Sequence, residues 1–513
     1  MLLSRIASTS AALAATRSRI AKRDLIAEVL REATADDVEV IVCYLSGSLR
    51  QRRTGLGWKS LQDLPEPALS PTLTVHEVDA AMERIAALSG AGSGISRARQ
   101  VADLLGRATR TEQDLLRGLI FGDLRQGALE AQVQEGLALA FDVPLASVRR
   151  AAMLLSSTTS AAALLVSEGP EALERVGLRV GTPVQPMLAA SAPDVEGALA
   201  KSGLPAVVDY KLDGIRVQVH RDPNAVRIFT RSLDDITSRL PEVVDIVRSL
   251  PAERLVLDGE VLALRPDGRP EAFQVTASRA ATSIEVDPTM TRTPLMVAFF
   301  DLLHVDGADL ADRPLSVRME RMRQVLPQTL IVPRAVCDSP DAVARLFRSA
   351  VAEGFEGLVV KNPASAYAAG RRDSAWVKLK PRHTFDLLVT AVEWGSGRRQ
   401  GWLSNLHLAA RDPDSDQLIM LGKTFKGLTD EMLTWQTEHF LRLETGRTRG
   451  TVYVQPSTVV EIACDGLQAS TRYPGGVALR FARVLRYRTD KAADEADTID
   501  TVRALSTIQT DSD

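Results

Sequence analysis

The segment AVVDYKLDGIRVQVHR, residues 206–221, decides how the middle of this chain folds. A mostly apolar run ends at Lys211, an Asp213-Gly214 turn follows, and apolar and polar residues then alternate over 215–219. Alternation with a period of two is typical of a half-buried strand, and Asp-Gly favours a turn between strands. The segment therefore predicts two strands, with Lys211, Asp213 and Gly214 in the turn between them.

Length and composition bound the class of protein around this segment. With 513 residues, the chain has room for roughly three domains of ~150 residues. Its hydrophobic share of 45% and charged share of 25% are those of an ordinary globular protein. The net charge of −3 excludes a strongly basic chain, but it leaves room for a local basic groove.

Cysteine usage and hydropathy indicate the compartment. Cys43, Cys337 and Cys464 lie far apart, which predicts neither a disulfide framework nor a zinc cluster and suits a reducing cytosol. We read the N-terminal residues as a helix of the mature domain, since they lack a continuous apolar signal segment. No apolar run reaches the length of a membrane span, so we expect no membrane association.

The pattern of apolar and polar residues changes twice along the chain. Residues 1–180 show apolar positions at three- and four-residue spacing, which predicts an all-α domain. Residues 181–384 show strand patterns with short helices between them, which predicts a mixed α/β domain. Residues 385–505 show about five short strands, the last of them from Leu479 to Tyr487, and one helix, compatible with a small barrel of the OB type. We expect the polar tail, 506–513, to be disordered.

Five further motifs follow the Lys211 turn in order. They are LDGEV at 257–261, FFDLL at 299–303, EGLVVK at 356–361, WVKLK at 376–380 and RYRTDK at 486–491. Each one alone is compatible with an ordinary turn, buried strand or solvated strand end. In WVKLK, however, Lys378 and Lys380 share one strand face. Two like charges on one face are well matched by a phosphate chain.

Two acidic residues and one lysine suggest the chemistry. Glu260 and Glu356 each stand at a predicted strand edge, and magnesium is commonly bound by one or two carboxylates plus substrate phosphates. A lysine is a poor nucleophile while protonated, with an ordinary pKa of ~10.4. It becomes useful in covalent catalysis when its site lowers that pKa or when a metal neutralises the group under attack.

In this order and spacing, the motifs resemble those of the lysine nucleotidyltransferase superfamily, which comprises ATP-dependent DNA ligases, RNA ligases and mRNA capping enzymes. The resemblance covers residues from about 185 to 491 and is closest to a bacterial or archaeal three-domain DNA ligase. It implies a multidomain α+β fold: an all-α N-terminal DNA-binding domain, a mixed α/β adenylyltransferase domain (ATP-grasp-like) and a C-terminal OB-fold β-barrel.

The resemblance also implies a role for each matching residue. Lys211 would form a covalent lysyl-AMP, and its AMP would pass to the 5′-phosphate of a nick. The implied ATP-binding residues are Asp209 for the adenine amino group, Arg216 for the ribose, Arg231 near the sugar, Phe300 stacking on adenine, Glu260, and Arg372, Lys378 and Lys380 for the phosphates. Glu260 and Glu356 would serve the metal. Arg488 and Lys491, on the third domain, would orient pyrophosphate in the first step and swing away afterwards. At the block around Arg231, Ser232 replaces the usual asparagine.

Three features favour a DNA ligase within the superfamily. A helical region precedes Lys211, and its Gly-rich turn carries the basic residues Arg50, Arg52, Arg53 and Lys59, suited to backbone contacts in a minor groove. The third domain carries a predicted basic strand with Arg480, Arg483, Arg486 and Arg488. The block LRFARVLRYRTDK that contains this strand is, in addition, more similar to DNA ligases than to capping enzymes. NAD-dependent ligases are disfavoured separately, because three dispersed cysteines cannot form their four-cysteine zinc module. The alternatives are a capping-type guanylyltransferase, an RNA ligase, or a nucleic-acid-binding protein with a decayed centre; the last is disfavoured because the charged positions are all present.

The expected cofactors and partners follow from this interpretation. They are ATP, Mg²⁺ or Mn²⁺, and nicked double-stranded DNA. We expect a monomer that acts in the cytoplasm at the bacterial nucleoid, in DNA replication, repair or recombination.

Overall fold

The computed structural model describes residues 1–51, 53–61, 64–90, 92–127, 130–265, 268–271, 273–281, 293–369, 372–415 and 417–507. Contacts divide the chain into two compact units. The first unit comprises 1–190, 201–339 and 359–377, and the second comprises 191–200, 340–358 and 378–513.

The N-terminal part of the first unit is helical, as predicted. Its helices are α1 (Leu3–Ala15), α2 (Arg19–Glu32), α3 (Val38–Leu45), α4 (Val75–Ala87), α5 (Ser93–Gly106), α6 (Arg110–Phe121), α7 (Glu130–Ala140), α8 (Leu145–Leu154), α9 (Thr158–Glu168) and α10 (Pro170–Glu174). Local sequence explains where they begin. Thr74 and Glu77 form a capping box at the start of α4, since each side chain accepts a hydrogen bond from the other residue's backbone N–H. Apolar residues from these helices share one buried core.

The middle of the chain is built on two five-stranded sheets. Its elements are β1 (Leu188–Ala192), α11 (Val195–Ser202), β2 (Ala206–Lys211), β3 (Ile215–Arg221), β4 (Val226–Thr230), α12 (Pro241–Arg248), β5 (Leu255–Ala263), α13 (Phe273–Ala281), β6 (Leu295–Val305), β7 (Ala308–Asp309), α14 (Leu315–Val325), β8 (Arg334–Cys337), α15 (Pro340–Ala352), β9 (Gly357–Lys361) and β10 (Arg372–Leu379). One sheet has the order β1-β10-β9-β2-β8 and the other β4-β3-β5-β6-β7.

The C-terminal part, in the second unit, is an antiparallel β-domain. Its elements are β11 (His383–Trp394), β12 (Leu403–Arg411), β13 (Leu418–Thr424), α16 (Asp430–Arg442), β14 (Glu444–Arg447), β15 (Thr451–Val454), β16 (Val459–Cys464), β17 (Gly466–Ala469), β18 (Val477–Arg480), β19 (Arg483–Tyr487) and α17 (Ile499–Thr507). The long strand β11 pairs with β12 and β15 over its C-terminal part and with β16 over its N-terminal part. Phe440 of α16 packs in the core with residues of these strands.

Two details differ from the sequence-based expectation for this domain. The stretch from Leu479 to Tyr487 was expected to be one strand, but Phe481 has φ +55° and separates β18 from β19. The helix α17 extends to Thr507, and residues 508–513 of the expected tail lie outside the described residues. Within the described part of the chain, no single helix has both the length and the apolar composition for crossing a membrane; α8 and α9, bent by 117°, reach them only as a pair.

Candidate active site

Lys211 is the last residue of β2, and its side chain is half-buried. The residues after it, Leu212–Gly214, lead into β3, which belongs to the other five-stranded sheet. The predicted turn is therefore present, and it carries the chain from one sheet to the next instead of closing a hairpin within one sheet. Lys211 Nζ lies 3.4 Å from the carbonyl oxygen of Leu212, to which it donates a hydrogen bond.

Gly214 fixes this turn because no side chain fits at its position. A Cβ atom there would lie 2.3 Å from the carbonyl oxygen of Val261 and 2.9 Å from Cγ of Glu260. Both residues belong to β5, which pairs with β3. The close approach therefore holds the turn after Lys211 against the strand that carries the predicted acidic ligand Glu260.

Asp209 precedes Lys211 by two residues on β2, so the two side chains point to the same face of the strand. The Asp209 carboxylate is buried and accepts two hydrogen bonds from the Arg334 guanidinium, each 2.9 Å long. Lys361 Nζ lies 2.6 Å from the same carboxylate. Burial lowers the pKa of the Lys361 ammonium, although the charge of Asp209 opposes that effect. The predicted adenine contact is thus held between two cations.

Phe300 and Trp376 form an aromatic pair next to this carboxylate. Their ring centroids lie 5.8 Å apart in an edge-to-face arrangement. Lys361 Nζ lies 4.8 Å from the Phe300 ring centroid and 4.1 Å from that of Trp376. Trp376 Nε1 and Arg334 Nη1 are buried and have no hydrogen-bond partner among the described residues. Because such donors are costly to leave unsatisfied, they fit a ligand that brings acceptor atoms.

Arg216 is held in place by three neighbours. Its guanidinium makes a bidentate ion pair with the buried Asp258, at 2.7 and 3.0 Å, and donates to the carbonyl oxygen of Met187 at 2.6 Å. The Tyr367 hydroxyl donates to Asp258 at 2.7 Å and lies 3.3 Å from the guanidinium. Burial by itself lowers the pKa of Arg216, but the charges of Asp258, Tyr367 and Glu260 and the hydrogen bond to Asp258 together raise that pKa. The guanidinium carbon lies 5.4 Å from the Phe300 ring centroid, at the edge of the aromatic pair.

Comparisons with known proteins match this arrangement to one family. The chain matches the ATP dependent DNA ligase domain over residues 186–380, the ATP dependent DNA ligase C terminal region over 399–491 and the DNA ligase N terminus over 59–138. The chain belongs to the ATP-dependent DNA ligase family. A probable DNA ligase of Beutenbergia cavernae is 58% identical over 99% of this chain and 100% of its own length. A probable DNA ligase of Nocardioides sp. is 57% identical over 98% and 99%.

A solved structure shares the ligase architecture. The structure titled Pmar-Lig_PreS3 has a TM-score of 0.63 and 19% identity, and the match covers 94% of this chain and 99% of that one. The expected arrangement of a helical N-terminal region, a mixed α/β core and a C-terminal β-domain is therefore confirmed. The family matches support an ATP-dependent DNA ligase and not the guanylyltransferase or RNA ligase alternative.

The two predicted metal ligands of the ligase have different surroundings. Glu260 lies on β5, opposite Arg216 on β3. Glu356, just before β9, forms an ion pair with Lys380, which lies 3.2 Å from Asp465 as well. Burial by itself lowers the pKa of Lys380, but the charges and hydrogen bonds of Glu356 and Asp465 together raise that pKa. The described residues contain no cluster of three or more metal-ligating side chains. Single carboxylates fit magnesium where substrate phosphates supply further oxygens.

The predicted phosphate-binding residues are partly described. Val377 and Leu379 are buried while Lys378 and Lys380 are half-buried, so the predicted alternation in WVKLK is confirmed. The side chain of Arg372, at the start of β10, lies outside the described residues.

Arg231 is exposed in the turn that follows β4. Ser232, at the position where the motif resemblance predicts asparagine, donates a hydrogen bond of 2.6 Å to Asp234. Ser232 therefore stabilises the turn that presents Arg231, and this local bond gives the departure from the family pattern a structural role.

In the β-domain, the predicted pyrophosphate-orienting residues are paired with carboxylates. Arg488 Nη1 and Lys491 Nζ each lie 2.8 Å from Asp386, and Arg488 also makes a bidentate contact with Asp490. Side-chain hydrogen bonding to Asp386 raises the pKa of Lys491. The two cations are therefore held together, and an anion that binds them competes with Asp386.

Several residues of the site were missed by the sequence analysis. Lys361 ends the motif EGLVVK, so its position was visible but its role was not. Arg334 and Tyr367 lie outside every motif, and no sequence pattern marks them. In the predicted DNA-contacting patch, the Arg50 guanidinium is already paired with a carboxylate, because it forms a bidentate ion pair with Asp79. Arg52 and the Lys59 side chain lie outside the described residues.

Proposed function

We propose that Lys211 is the nucleophile of this ligase. Asp209 and Lys211 point to the same face of β2, and Asp209 adjoins the Phe300–Trp376 pair. This placement carries the proposal, because a base bound at the aromatic pair brings its α-phosphate towards the Lys211 side of the strand. Lys211 Nζ attacks the α-phosphorus of ATP, the bond to the pyrophosphate oxygen breaks, and the amine gives up a proton.

The remaining transfers complete the sealing of a nick. AMP passes from Lys211 to the 5′-phosphate of nicked duplex DNA, and the 3′-hydroxyl then displaces AMP as the phosphodiester bond forms. We assign the adenine contacts to Asp209 and Phe300 and the ribose contact to Arg216. Arg231 serves the sugar and the nick phosphate. Glu260 also belongs to the ATP-binding residues, and the phosphates are bound by Arg372, Lys378 and Lys380.

Arg488 and Lys491 serve the first step in this proposal. Both are cations on the β-domain and are paired with Asp386, so pyrophosphate must replace or share that carboxylate. A domain movement that brings them in for the first step and withdraws them afterwards would free the nick-binding surface. Removing residues after about 385 should then suppress formation of the enzyme–AMP adduct, and an unaffected truncation would refute the movement.

A divalent cation, Mg²⁺ or Mn²⁺, would be held by Glu260 and Glu356 together with the phosphates of ATP. When bound, it screens the α-phosphate charge against the attacking amine. Glu356 carries an ion pair with Lys380, so metal binding and this ion pair share one carboxylate.

We further propose domain boundaries at 1–180, 181–384 and 385–505, and a monomer acting on nicked duplex DNA in the cytoplasm at the nucleoid. DNA affinity should fall steeply with salt, because phosphate contacts release counterions. The decisive assay is nick sealing with ATP, GTP and NAD side by side. Sealing with ATP alone supports the proposal, whereas sealing with GTP or NAD at the same rate contradicts it.

A further inference from the structure

The Arg334 guanidinium, at the start of β8, contacts both Asp209 and Phe300. These are the residues proposed to bind the edge and the face of the adenine. Its Nε and Nη2 atoms donate to the two oxygens of Asp209 at 2.9 Å each. Nη2 also donates to the backbone oxygen of Phe300 at 2.9 Å. The side chain is 11% exposed, so these bonds are shielded from water.

The remaining nitrogen of this guanidinium gives a second, independent observation. Arg334 Nη1 is buried and has no hydrogen-bond partner among the described residues. Buried donors in proteins are nearly always satisfied, and leaving one unsatisfied costs stability. The other two nitrogens bond to Asp209 and to the backbone oxygen of Phe300. The unsatisfied Nη1 therefore belongs to a guanidinium that is already held in place beside both residues.

From this geometry we infer that Arg334 is a specificity-determining positioning residue for the nucleobase of ATP. It holds the Asp209 carboxylate so that one lone pair can accept from the 6-amino group of adenine, and it ties that edge to the Phe300 face. This inference rests on the proposed role of Asp209. Lys361 also neutralises Asp209, at 2.6 Å, but a single ammonium does not fix the carboxylate plane as a bidentate guanidinium does.

The test compares ATP with purine riboside triphosphate, which lacks the 6-amino group, in single-turnover formation of the enzyme–AMP adduct. For the unmodified ligase, we expect ATP to be favoured by roughly 10- to 100-fold in kcat/KM, the range of one hydrogen bond to a charged group. Arg334→Met should bring the two nucleotides to within about 3-fold, mainly by raising KM for ATP. Arg334→Lys should restore only part of the preference, because it keeps the charge but loses the bidentate contact.

A matched control separates positioning from folding. Arg279 is also a buried arginine, 2.7 Å from Glu242 and bonded to the carbonyl oxygen of Arg239. Arg279→Met should therefore alter stability but leave the nucleotide preference unchanged. If Arg334→Met kept the full preference for ATP, or if Arg279→Met lost it equally, the inference about Arg334 would be overturned. If the unmodified ligase itself showed no preference, the proposed adenine contact of Asp209 would fail as well.

Discussion

Replacing Gly214 by alanine should slow the first chemical step while leaving the fold intact. The new Cβ atom would lie 2.3 Å from the carbonyl oxygen of Val261. Carbon–oxygen contacts between strands lie at about 3.3 Å or more, so the turn must move by about 1 Å. Gly214 follows Lys211 by three residues, and the displacement reaches the lysine through the short connection Leu212–Gly214. A 1 Å misplacement of a reacting group costs about 100-fold in rate, or about 2.7 kcal/mol of activation free energy.

The assay is the single-turnover rate of enzyme–AMP formation from radiolabelled ATP. Gly94, near the start of α5, provides the control, since a Cβ atom there meets nothing within 4 Å. We expect Gly214→Ala to lose about 100-fold and Gly94→Ala to match the unmodified enzyme. A Gly214→Ala variant with an unchanged rate would show that the close approach to β5 does not position Lys211.

Three further predictions concern stability and nucleotide binding. Asp301→Asn should lower the free energy of unfolding by about 3–5 kcal/mol in denaturant titrations, since it leaves the fully buried Arg318 without its ionised partner; a loss below 1 kcal/mol contradicts this. Burial lowers the pKa of His220 to about 3, so the unfolded chain takes up this proton near pH 6.5 and the folded chain does not. As the pH falls from 6.5 to 5, the free energy of unfolding should therefore decrease by about 1.6 kcal/mol more in the native enzyme than in His220→Gln, and parallel pH profiles would contradict it. Tyr367→Phe should raise KM for ATP about 10-fold with little change in kcat, because Arg216 and Asp258 lose a shared hydroxyl; a change confined to kcat would argue against a role in binding.

The sequence motifs predicted those parts of the site that depend only on residues close together in the sequence. The turn after Lys211 follows from an apolar run and an Asp-Gly pair, and the alternation of Lys378 and Lys380 with buried neighbours follows from strand periodicity. The position of Lys211 at the end of its strand was therefore predictable from the sequence alone.

Residues that reach the site through strand pairing could not be predicted from the sequence. Arg334 contacts Asp209, 125 residues earlier in the sequence, because β8 pairs with β2. Neither strand carries a sequence pattern that predicts this pairing. The carboxylate that holds Arg488 and Lys491 also comes from about 100 residues away. The break between β18 and β19 depends on the left-handed backbone of Phe481, which strand propensity alone does not indicate.

The most direct test of the account is the site of adenylylation. The enzyme is incubated with ATP and Mg²⁺, and the AMP-bearing peptide is located by mass spectrometry. We expect AMP on Lys211 alone, and no adduct in Lys211→Ala, while the variant should still seal nicks whose 5′-phosphate already carries AMP. An adduct that persists in Lys211→Ala, or AMP found on Lys361, would contradict the central claim.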